Sequence, residues 1–231
     1  MTALTLYGAP NSRTSRVLWL LEEMAIDYRH VPVIQASRLT DPRAPTAQKN
    51  TLSPDFLRLN PAGTVPVLDD GRFVLTESLA ILMHVATSRG SPLGPLNQTE
   101  MSRIHEILFW VTSTIEPDAV KVIVNRVIRD APACDTSALM NAEARLARNL
   151  HWLEDRLTEA WLLGARFTLA DIAVAEILRY AQSAPGLLGS FAKVSDWLGR
   201  CQSRPAALKI AKLRQAEILP DGWQRAYAPQ T

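Results

Sequence analysis

A glutamate and a serine, Glu77 and Ser78, stand at the predicted start of an apolar helix and could bind a ligand that carries both charges. The helix is predicted because apolar residues recur at helical spacing from Leu79 onward. Backbone N–H groups at a helix start have no partner within the helix and attract carboxylates, while a glutamate can hold an ammonium. The pair therefore favours binding of the zwitterionic end of an amino acid. The alternative is that Ser78 only caps the helix and Glu77 only complements its dipole.

A proline between two valines, Val65-Pro66-Val67, interrupts an apolar run shortly before that helix. Proline has no N–H to donate, so at the start of a strand it marks an edge, a bend or a cis bond. We expect the backbone of this strand to be exposed. The strand is predicted to turn at residues 69–71, where Asp-Gly separates two apolar runs, and to return as residues 72–75.

Both features need a scaffold, and the first half of the chain predicts a small α/β domain. Residues 4–7, 12–25 and 28–33 are predicted to form a strand, a helix and a strand. The two strands of such a unit are parallel and are joined by a right-handed crossover. A short helix at 53–57, the hairpin and the helix that begins near Ser78 complete the order βαβαββα.

Turn-forming residues separate this domain from a helical one. The segment 88–98 is rich in Gly, Pro and Ser and predicts a linker between an α/β domain at 1–87 and an all-helical domain at 99–231. In the second domain Thr168 and Asp171 have the spacing of a capping box, which stabilises the start of a core helix and needs no ligand. Helical periodicity extends over four stretches, at about 99–128, 137–161, 168–183 and 190–202.

Composition argues against several classes of partner. The chain has 231 residues, 47% of them apolar, and a formal net charge of +2 with charges of both signs interspersed. No basic stripe predicts nucleic-acid binding, and no run approaches the roughly 18 apolar residues that a membrane helix needs. The N-terminal residues lack the pattern of a secretory signal, so we expect a cytoplasmic protein.

Neither the cysteines nor the histidines have the spacing of a metal or redox site. Cys134 and Cys201 lie 67 positions apart and form no CxxC pair, so we interpret both as buried or incidental thiols. The histidines have no metal-ligand spacing with one another or with the cysteines: His30, His84, His105 and His151. We therefore predict no metal.

Three segments together resemble the cytosolic glutathione transferases, in particular serine-type, bacterial-like members. They are LTLYGAPNSRTSRVLWLLEE, FLRLNPAGTVPVLDDGRFVLTESLAIL and FTLADIAVAEIL, in the family's order and over nearly the full length. The resemblance implies a thioredoxin-like N-terminal domain that binds glutathione. It also implies an all-helical C-terminal domain that lines the pocket for an electrophile, usually in a homodimer.

The resemblance further implies roles for individual residues of the first domain. Pro66 corresponds to the family's cis-proline, which turns the Val65 backbone toward the cysteinyl unit of glutathione. Glu77 and Ser78 correspond to the residues that hold its γ-glutamyl end. Thr64 stands where relatives often have Lys or Gln, which is tolerable because the neighbouring contact is made by backbone.

The polar segment at residues 34–53, called the insertion below, is longer than is usual in the family. By resemblance it supplies contacts to the glycine carboxylate of glutathione, but its extra length leaves the register open. The candidates for this contact are Gln48, Lys49 and Thr51. Formation of a flap over the pocket mouth is the alternative role.

The same resemblance places the chemistry at the first turn of the first helix. A thiol with a pKa of about 8.5 is mostly protonated at neutral pH, and only its thiolate attacks electrophiles. A helix N-terminus and a side-chain donor can stabilise that thiolate, and lowering the pKa by about two units requires about 2.7 kcal/mol. Ser12 is the donor we favour. Asn11 is the alternative, because many serine-type relatives place their serine where this chain has asparagine, and the site can use either or both. Thr14 and Ser15 are further candidates, and Tyr7 is interpreted as structural.

An apolar second substrate is indicated by the helix that opens the second domain. Trp110, Val111 and Thr114 should face the glutathione sulfur and form an aromatic and aliphatic wall. The interhelical core or a dimer contact is the alternative position for Trp110. The sequence therefore predicts a glutathione transferase that positions two reactants and stabilises the thiolate. A glutathione-dependent peroxidase, isomerase or dehalogenase, or a non-catalytic interaction module of the same fold, are the alternatives.

Overall fold

A computed structural model describes most of the chain: residues 4–128, 133–184 and 186–218. The described residues group into two compact units. The first unit consists of residues 4–89 together with 209–218, and the second is the described part of 90–208. The last described residues thus belong with the α/β unit, whereas the sequence assigned all of 99–231 to the helical domain.

The first unit has a thioredoxin-like architecture. Its strands are β1 (Leu4–Tyr7), β2 (Tyr28–Val31), β3 (Val67–Asp69) and β4 (Val74–Thr76). Its helices up to residue 89 are α1 (Thr14–Glu23), α2 (Pro54–Leu59) and α3 (Ser78–Ser88). The described strands form one sheet in the order β2-β1-β3-β4, in which β1 is parallel to β2 and antiparallel to β3, and β3 is antiparallel to β4. The predicted order βαβαββα is confirmed.

The apolar pattern explains how these elements pack. Leu4 and Leu6 of β1 lie on the same face of the sheet and are both buried, because successive side chains of a strand point to opposite faces. Helix α1 packs against α3. The buried apolar residues of these two helices are Val17, Leu18, Trp19, Leu20, Leu21, Ile81, Leu82, Val85 and Ala86.

One local expectation for this unit needs correction. The hairpin turn lies later than predicted, because Asp69 ends β3 and the Asp70 N–H donates to the Phe73 carbonyl at 3.2 Å. Ser53 precedes α2 but does not cap it with its side chain. Its Oγ instead accepts a hydrogen bond from Asn50 N at 2.9 Å, because the chain folds back on itself there.

The second unit is mostly helical, as predicted. Its helices are α4 (Gln98–Trp110), α5 (Glu116–Ile123), α6 (Thr136–Arg156), α7 (Leu169–Ala181) and α8 (Ala192–Gln202). A π-helical turn, Val111–Ile115, joins α4 to α5, and another, Val124–Ile128, follows α5. None of the helices within the described residues is long and apolar enough to cross a membrane.

Helix α7 begins with the predicted capping box. The Asp171 carboxylate accepts from Thr168 N at 2.8 Å, and Thr168 Oγ1 accepts from Ala170 N at 3.3 Å. Asp171 is fully buried and also accepts from Trp197 Nε1 at 2.9 Å, so it links α7 to α8. The motif therefore stabilises the core of the second unit.

A last helix, α9 (Pro205–Ala216), was not predicted from the sequence. Its apolar residues do not gather on one side, and Leu208 is half exposed while Ile210 is buried. Its C-terminal part is anchored in the first unit, where Lys209 Nζ donates to Glu22 Oε2 at 2.6 Å. This anchoring is one reason why residues 209–218 group with the α/β unit.

Candidate active site

The turn before α1 folds tightly against the helix. Gly8 has a φ of +141°, and a Cβ atom at this position would lie 2.0 Å from Thr14 Oγ1, so only glycine fits. Ser12 N donates to the Ala9 carbonyl at 3.1 Å within the same turn. The close approach of Gly8 and Thr14 therefore sets the position of the residues between them.

Ser12, the favoured donor, lies in this turn with only 3% of its surface exposed. Its Oγ lies 2.6 Å from the Ala9 carbonyl oxygen and 2.8 Å from Thr14 Oγ1, and it accepts from Thr14 N at 3.1 Å. A hydroxyl has one proton, so Ser12 can donate to one acceptor at a time. Donation to a thiolate would therefore replace its bond to Ala9 or to Thr14.

Asn11, the alternative donor, is engaged by residues that are distant in the chain. Its backbone N–H donates to Glu217 Oε2 at 2.6 Å, and its Nδ2 donates to the Arg214 carbonyl at 2.8 Å. Its carbonyl accepts from Arg38 Nη2 at 2.5 Å. These bonds are a second reason why residues 209–218 belong to the first unit, and none of the three partners was predicted.

The peptide bond between Val65 and Pro66 is cis, as the resemblance implied. Pro66 is buried and Val65 is half-buried. Among the residues that the structure describes, neither backbone polar group of Val65 has a hydrogen-bond partner. Asn60 fixes the approach to this segment, because its Nδ2 donates to the Thr64 carbonyl at 2.9 Å. The Val65 backbone can therefore pair with an extended ligand.

Glu77 and Ser78 lie at the start of α3, as predicted, and no side-chain hydrogen bond caps the helix there. Glu77 has a φ of +66° and an exposed side chain. Such a backbone conformation costs about 1–3 kcal/mol in a residue with a Cβ atom. Ser78 is buried, and its Oγ accepts from Arg16 Nη1 at 3.1 Å. Because Ser78 is the acceptor in this bond, its own proton stays available to a carboxylate.

The insertion has a defined path in the first unit. It begins with a 3₁₀ turn at Ala36–Arg38 and returns to its own start, where Ile34 pairs with Asn50 in a parallel bridge. Asn50 is buried and closes the loop, because its Nδ2 donates to the carbonyls of Pro42 and Gln48 at 2.9 and 2.8 Å.

The three candidates for the glycine carboxylate have different surroundings in the insertion. Thr51 is buried, and its Oγ1 accepts from Ala36 N at 3.0 Å. Gln48 is exposed, while Lys49 is exposed and paired with the Asp55 carboxylate. Gln48 and Lys49 can therefore reach a ligand more readily than Thr51. That any of the three binds the glycine carboxylate of glutathione stays a prediction.

The candidate electrophile residues lie at the end of α4 and in the π-helical turn that follows. Trp110 packs against Trp152 of α6 with ring centroids 4.4 Å apart, which is the alternative position expected for it. Val111 is fully buried within the unit, and Thr114 is half-buried. A cavity of about 500 Å³ also opens in this unit, and its lining includes Ile107 but none of these three candidates.

Arg16 is a residue of the candidate site that was not identified from the sequence. It is a buried residue of the first turn of α1, four positions after Ser12. Its bond to Ser78 connects the start of α1 to the start of α3. The available signal was an arginine at spacing i+4 from the favoured donor, close to the start of a predicted helix. Within the described ranges, no group of three or more His, Cys, Asp or Glu side chains could hold a metal ion.

Two family models match the chain. The model described as Glutathione S-transferase, N-terminal domain, matches residues 2–87, and the model described as Glutathione S-transferase, C-terminal domain, matches residues 107–205. Together they cover most of both units.

Curated relatives and a solved structure match over nearly the whole length. Glutathione S-transferase F7 of Arabidopsis thaliana is 28% identical over 91% of this chain and 100% of its own. Glutathione S-transferase 3 of Zea mays is 32% identical over 90% of this chain and 93% of its own. The crystal structure of the theta class glutathione S-transferase from Xanthomonas axonopodis pv. citri, with glutathione bound, is 26% identical, has a TM-score of 0.77 and covers 90% of this chain and 97% of that one.

Proposed function

The chain belongs to the glutathione S-transferase family, and we propose that it binds glutathione in its first unit, activates the thiol at the start of α1 and adds the sulfur to an apolar electrophile. It is a glutathione transferase, and its co-substrate is the tripeptide. The glutathione bound in the Xanthomonas axonopodis relative supports the choice of ligand.

Activation of the thiol falls to Ser12 in this proposal. The sulfur sits at the N-terminus of α1, where backbone N–H groups favour an anion. The Ser12 hydroxyl turns from the Ala9 carbonyl or from Thr14 Oγ1 and donates to the thiolate, since these are its present neighbours at 2.6 and 2.8 Å. Two units of pKa lowering need only about 2.7 kcal/mol, which a charge-assisted hydrogen bond and the helix N-terminus can supply together.

Binding of the tripeptide falls to three groups of the same unit. The exposed Glu77 carboxylate holds the γ-glutamyl ammonium, and the Ser78 hydroxyl donates to the adjoining carboxylate while Arg16 keeps it oriented. The Val65 backbone pairs with the cysteinyl unit. Candidates for the glycine carboxylate come from the insertion: Gln48, Lys49 and Thr51.

The observation that carries this proposal is the hydrogen bond from Arg16 to Ser78. It ties the proposed thiol site at the start of α1 to the proposed γ-glutamyl site at the start of α3. A single peptide can then contact both helix starts, as the proposed mode of binding requires. Because the two sites share this buried contact, the residues that bind the γ-glutamyl end of glutathione also help to position its sulfur.

The second substrate and the assembly complete the proposal. Trp110 and Thr114 keep partly exposed side chains and contribute to an apolar pocket for the electrophile, while Val111, which is fully buried, supports it from within the unit. The chemistry needs no metal. We expect a cytoplasmic homodimer with a role in detoxification, as is typical of the family.

The ultraviolet difference spectrum of bound glutathione tests the proposal. Titration of the complex from acid to mildly alkaline pH should show thiolate well below the free thiol pKa of about 8.5. Ser12→Ala should move this transition back toward the free value with little loss of affinity, whereas Asn11→Ala tests the alternative donor. Ser102→Ala, the same chemical change on the exposed surface of α4, is the control. Binding without ionisation, or no binding, would contradict the enzymatic proposal.

A further inference from the structure

Four residues that are far apart in the chain meet at the turn before α1 and form what we call the C-terminal clasp: Asn11, Arg38, Arg214 and Glu217. Asn11 is its centre. Its N–H, its carbonyl and its side-chain amide each bond to a different member, over 2.6, 2.5 and 2.8 Å. Arg38 Nη1 also lies 3.7 Å from Glu217 Oε1, so the clasp closes into a ring.

The clasp is a buried contact and differs from a surface ion pair. The side chains of Arg38 and Glu217 are only 11% and 10% exposed. Removing two charged groups from water is unfavourable unless additional hydrogen bonds replace those that the groups made to water. Here Asn11 supplies one hydrogen bond to each charge, since its N–H donates to the Glu217 carboxylate and its carbonyl accepts from the Arg38 guanidinium. Two separate segments, the insertion and the residues around the end of α9, thus fix the residue that precedes Ser12.

Resting on the proposed function, we propose that Arg38 and Glu217 are positioning residues of the transferase reaction, which hold Asn11 and Ser12 in place and act in opposite senses on the glutathione sulfur. Asn11 then serves the clasp and is not the donor to the thiolate. The Glu217 carboxylate disfavours an anion beside Ser12, and the Arg38 guanidinium favours it. The two residues thus share one structural role but have opposite electrostatic effects.

The surrounding charges define what else could act on this turn. Arg214 enters the clasp through its carbonyl, and Arg16 is directed at Ser78. Arg13 is the exposed residue that follows Ser12. Helix α9 carries a second ion pair with α1, in which Lys209 Nζ donates to Glu22 Oε2 at 2.6 Å. That pair joins α9 to α1 outside the clasp, so it offers a control for the removal of a charge.

Two substitutions separate charge from shape in the clasp. Glu217→Gln keeps an oxygen that can accept from Asn11 N–H but removes the negative charge. The pKa of the bound glutathione thiol should therefore fall by about half a unit to one unit. Arg38→Met removes the positive charge and the bond to Asn11, so the same pKa should rise by a similar amount. Arg38→Lys keeps the charge and should restore most of the difference.

The ultraviolet thiolate titration of glutathione complexes and the pH profile of kcat/KM measure these shifts, and circular dichroism and Tm establish that each variant is folded. Lys209→Met removes a positive charge from α9 outside the clasp and should leave the thiol pKa unchanged. A merely structural clasp would move both variants in one direction. Shifts of the thiol pKa with the same sign in Glu217→Gln and Arg38→Met overturn the inference. Glu217→Gln is sufficient by itself, because an unchanged or raised thiol pKa in this variant contradicts the inference. Absence of thiolate in the unmodified protein would instead contradict the proposed function.

Discussion

Two helix starts, one in each unit, differ in whether side chains of the chain itself cap their backbone N–H groups. At α7, Thr168 and Asp171 complete each other's bonds, and the buried Asp171 carboxylate also accepts from Trp197 Nε1. At α3, no side-chain hydrogen bond caps the helix, and Glu77 projects an exposed carboxylate from a backbone with φ of +66°. One start is closed by its own residues, and the other is open.

The difference indicates which start stabilises the fold and which serves a ligand. Burial raises the pKa of Asp171, and its hydrogen bonds oppose that rise, so the group behaves as part of the core. Glu77 instead keeps an exposed charge on a strained backbone, and such strain is concentrated at binding and catalytic positions. Substitutions at the two starts should therefore separate stability from glutathione binding.

The largest effect is expected for Asp171→Ala. The substitution removes the acceptor of Thr168 N, Leu162 N and Trp197 Nε1, which lie 2.8, 3.0 and 2.9 Å from the carboxylate. Buried donors without a partner cost about 1–3 kcal/mol each, so the free energy of unfolding should fall by more than about 3 kcal/mol. Urea unfolding followed by circular dichroism measures the loss.

A milder substitution keeps this test informative if Asp171→Ala does not fold. Thr168→Ala removes one capping oxygen and should cost about 1 kcal/mol. Glutathione KM should stay within about twofold of the unmodified value in this variant, because the closed start contacts no ligand in the proposed mode of binding. A large rise in KM with unchanged stability would reverse the assignment of the two helix starts.

Glu77→Ala should produce the opposite pattern. Loss of a charge-assisted hydrogen bond of about 1.5–3 kcal/mol should raise glutathione KM by roughly 10- to 100-fold. The thiol pKa should change little, because the thiolate is stabilised at α1. Steady-state kinetics and the thiolate titration measure the two parameters, and Asp155→Ala, at an exposed acid on α6, is the control. Equal effects of Glu77→Ala and Ser12→Ala on both parameters would contradict the division of roles.

Glu77→Gly sharpens the comparison, since it should raise stability while it weakens binding. Glycine adopts positive φ without the penalty of a Cβ atom, so relief of strain should add about 1 kcal/mol to the free energy of unfolding. Ala25 also has a positive φ, of 48°, at the end of α1. Ala25→Gly should therefore stabilise the protein without a change in glutathione KM. A rise in KM in this variant would show that the weaker binding of Glu77→Gly is not specific to the ligand site.

The range over which residues interact explains how much the sequence could predict. The strand and helix order of the α/β unit up to α3, the capping box of α7 and the Glu77-Ser78 start depend on residues within a few positions of one another, and all were predicted. The hairpin turn was misplaced, because the Asp70 N–H pairs with the Phe73 carbonyl and this choice is not fixed by an Asp-Gly pattern.

Contacts between distant segments were not predictable from one sequence. Asn11 and Glu217 are 206 positions apart, and no spacing or periodicity relates them. For the same reason α9 was missed and residues 209–218 were assigned to the helical domain. The identity of Ser12 as a candidate followed from a local motif, whereas the partners that position its turn appear only in the fold.

The first turn of α5 differs from both starts, because α5 continues the π-helical turn Val111–Ile115 and Glu116 N donates to the Val111 carbonyl. It carries an ion pair whose loss should give the smallest effect. Asp118 lies in this turn and is buried. Arg145 of α6 donates to it through Nε and Nη2 at 2.8 and 2.7 Å. The Arg145 hydrogen bond holds the pKa of Asp118 below its usual range, against the opposing effect of burial. This turn is therefore held by an ion pair to α6, whereas the α7 start is held by its own residues and the α3 start is open.

The pH dependence of Arg145→Met tests whether charge is what stabilises the contact between Asp118 and Arg145. A carboxylate whose folded-state pKa is lowered adds stability above its unfolded pKa of about 3.9 and loses it as the pH falls through the folded value. Because Arg145 is partly exposed and solvent screens the pair, we expect a loss of stability at pH 7 that is smaller than that of Thr168→Ala. The loss should shrink below about pH 4, as Asp118 protonates in both proteins. Urea unfolding at pH 7, 5 and 3 measures it. A loss that is as large at pH 3 as at pH 7 would assign the contact to packing of the arginine stem, because protonation weakens only the charge interaction.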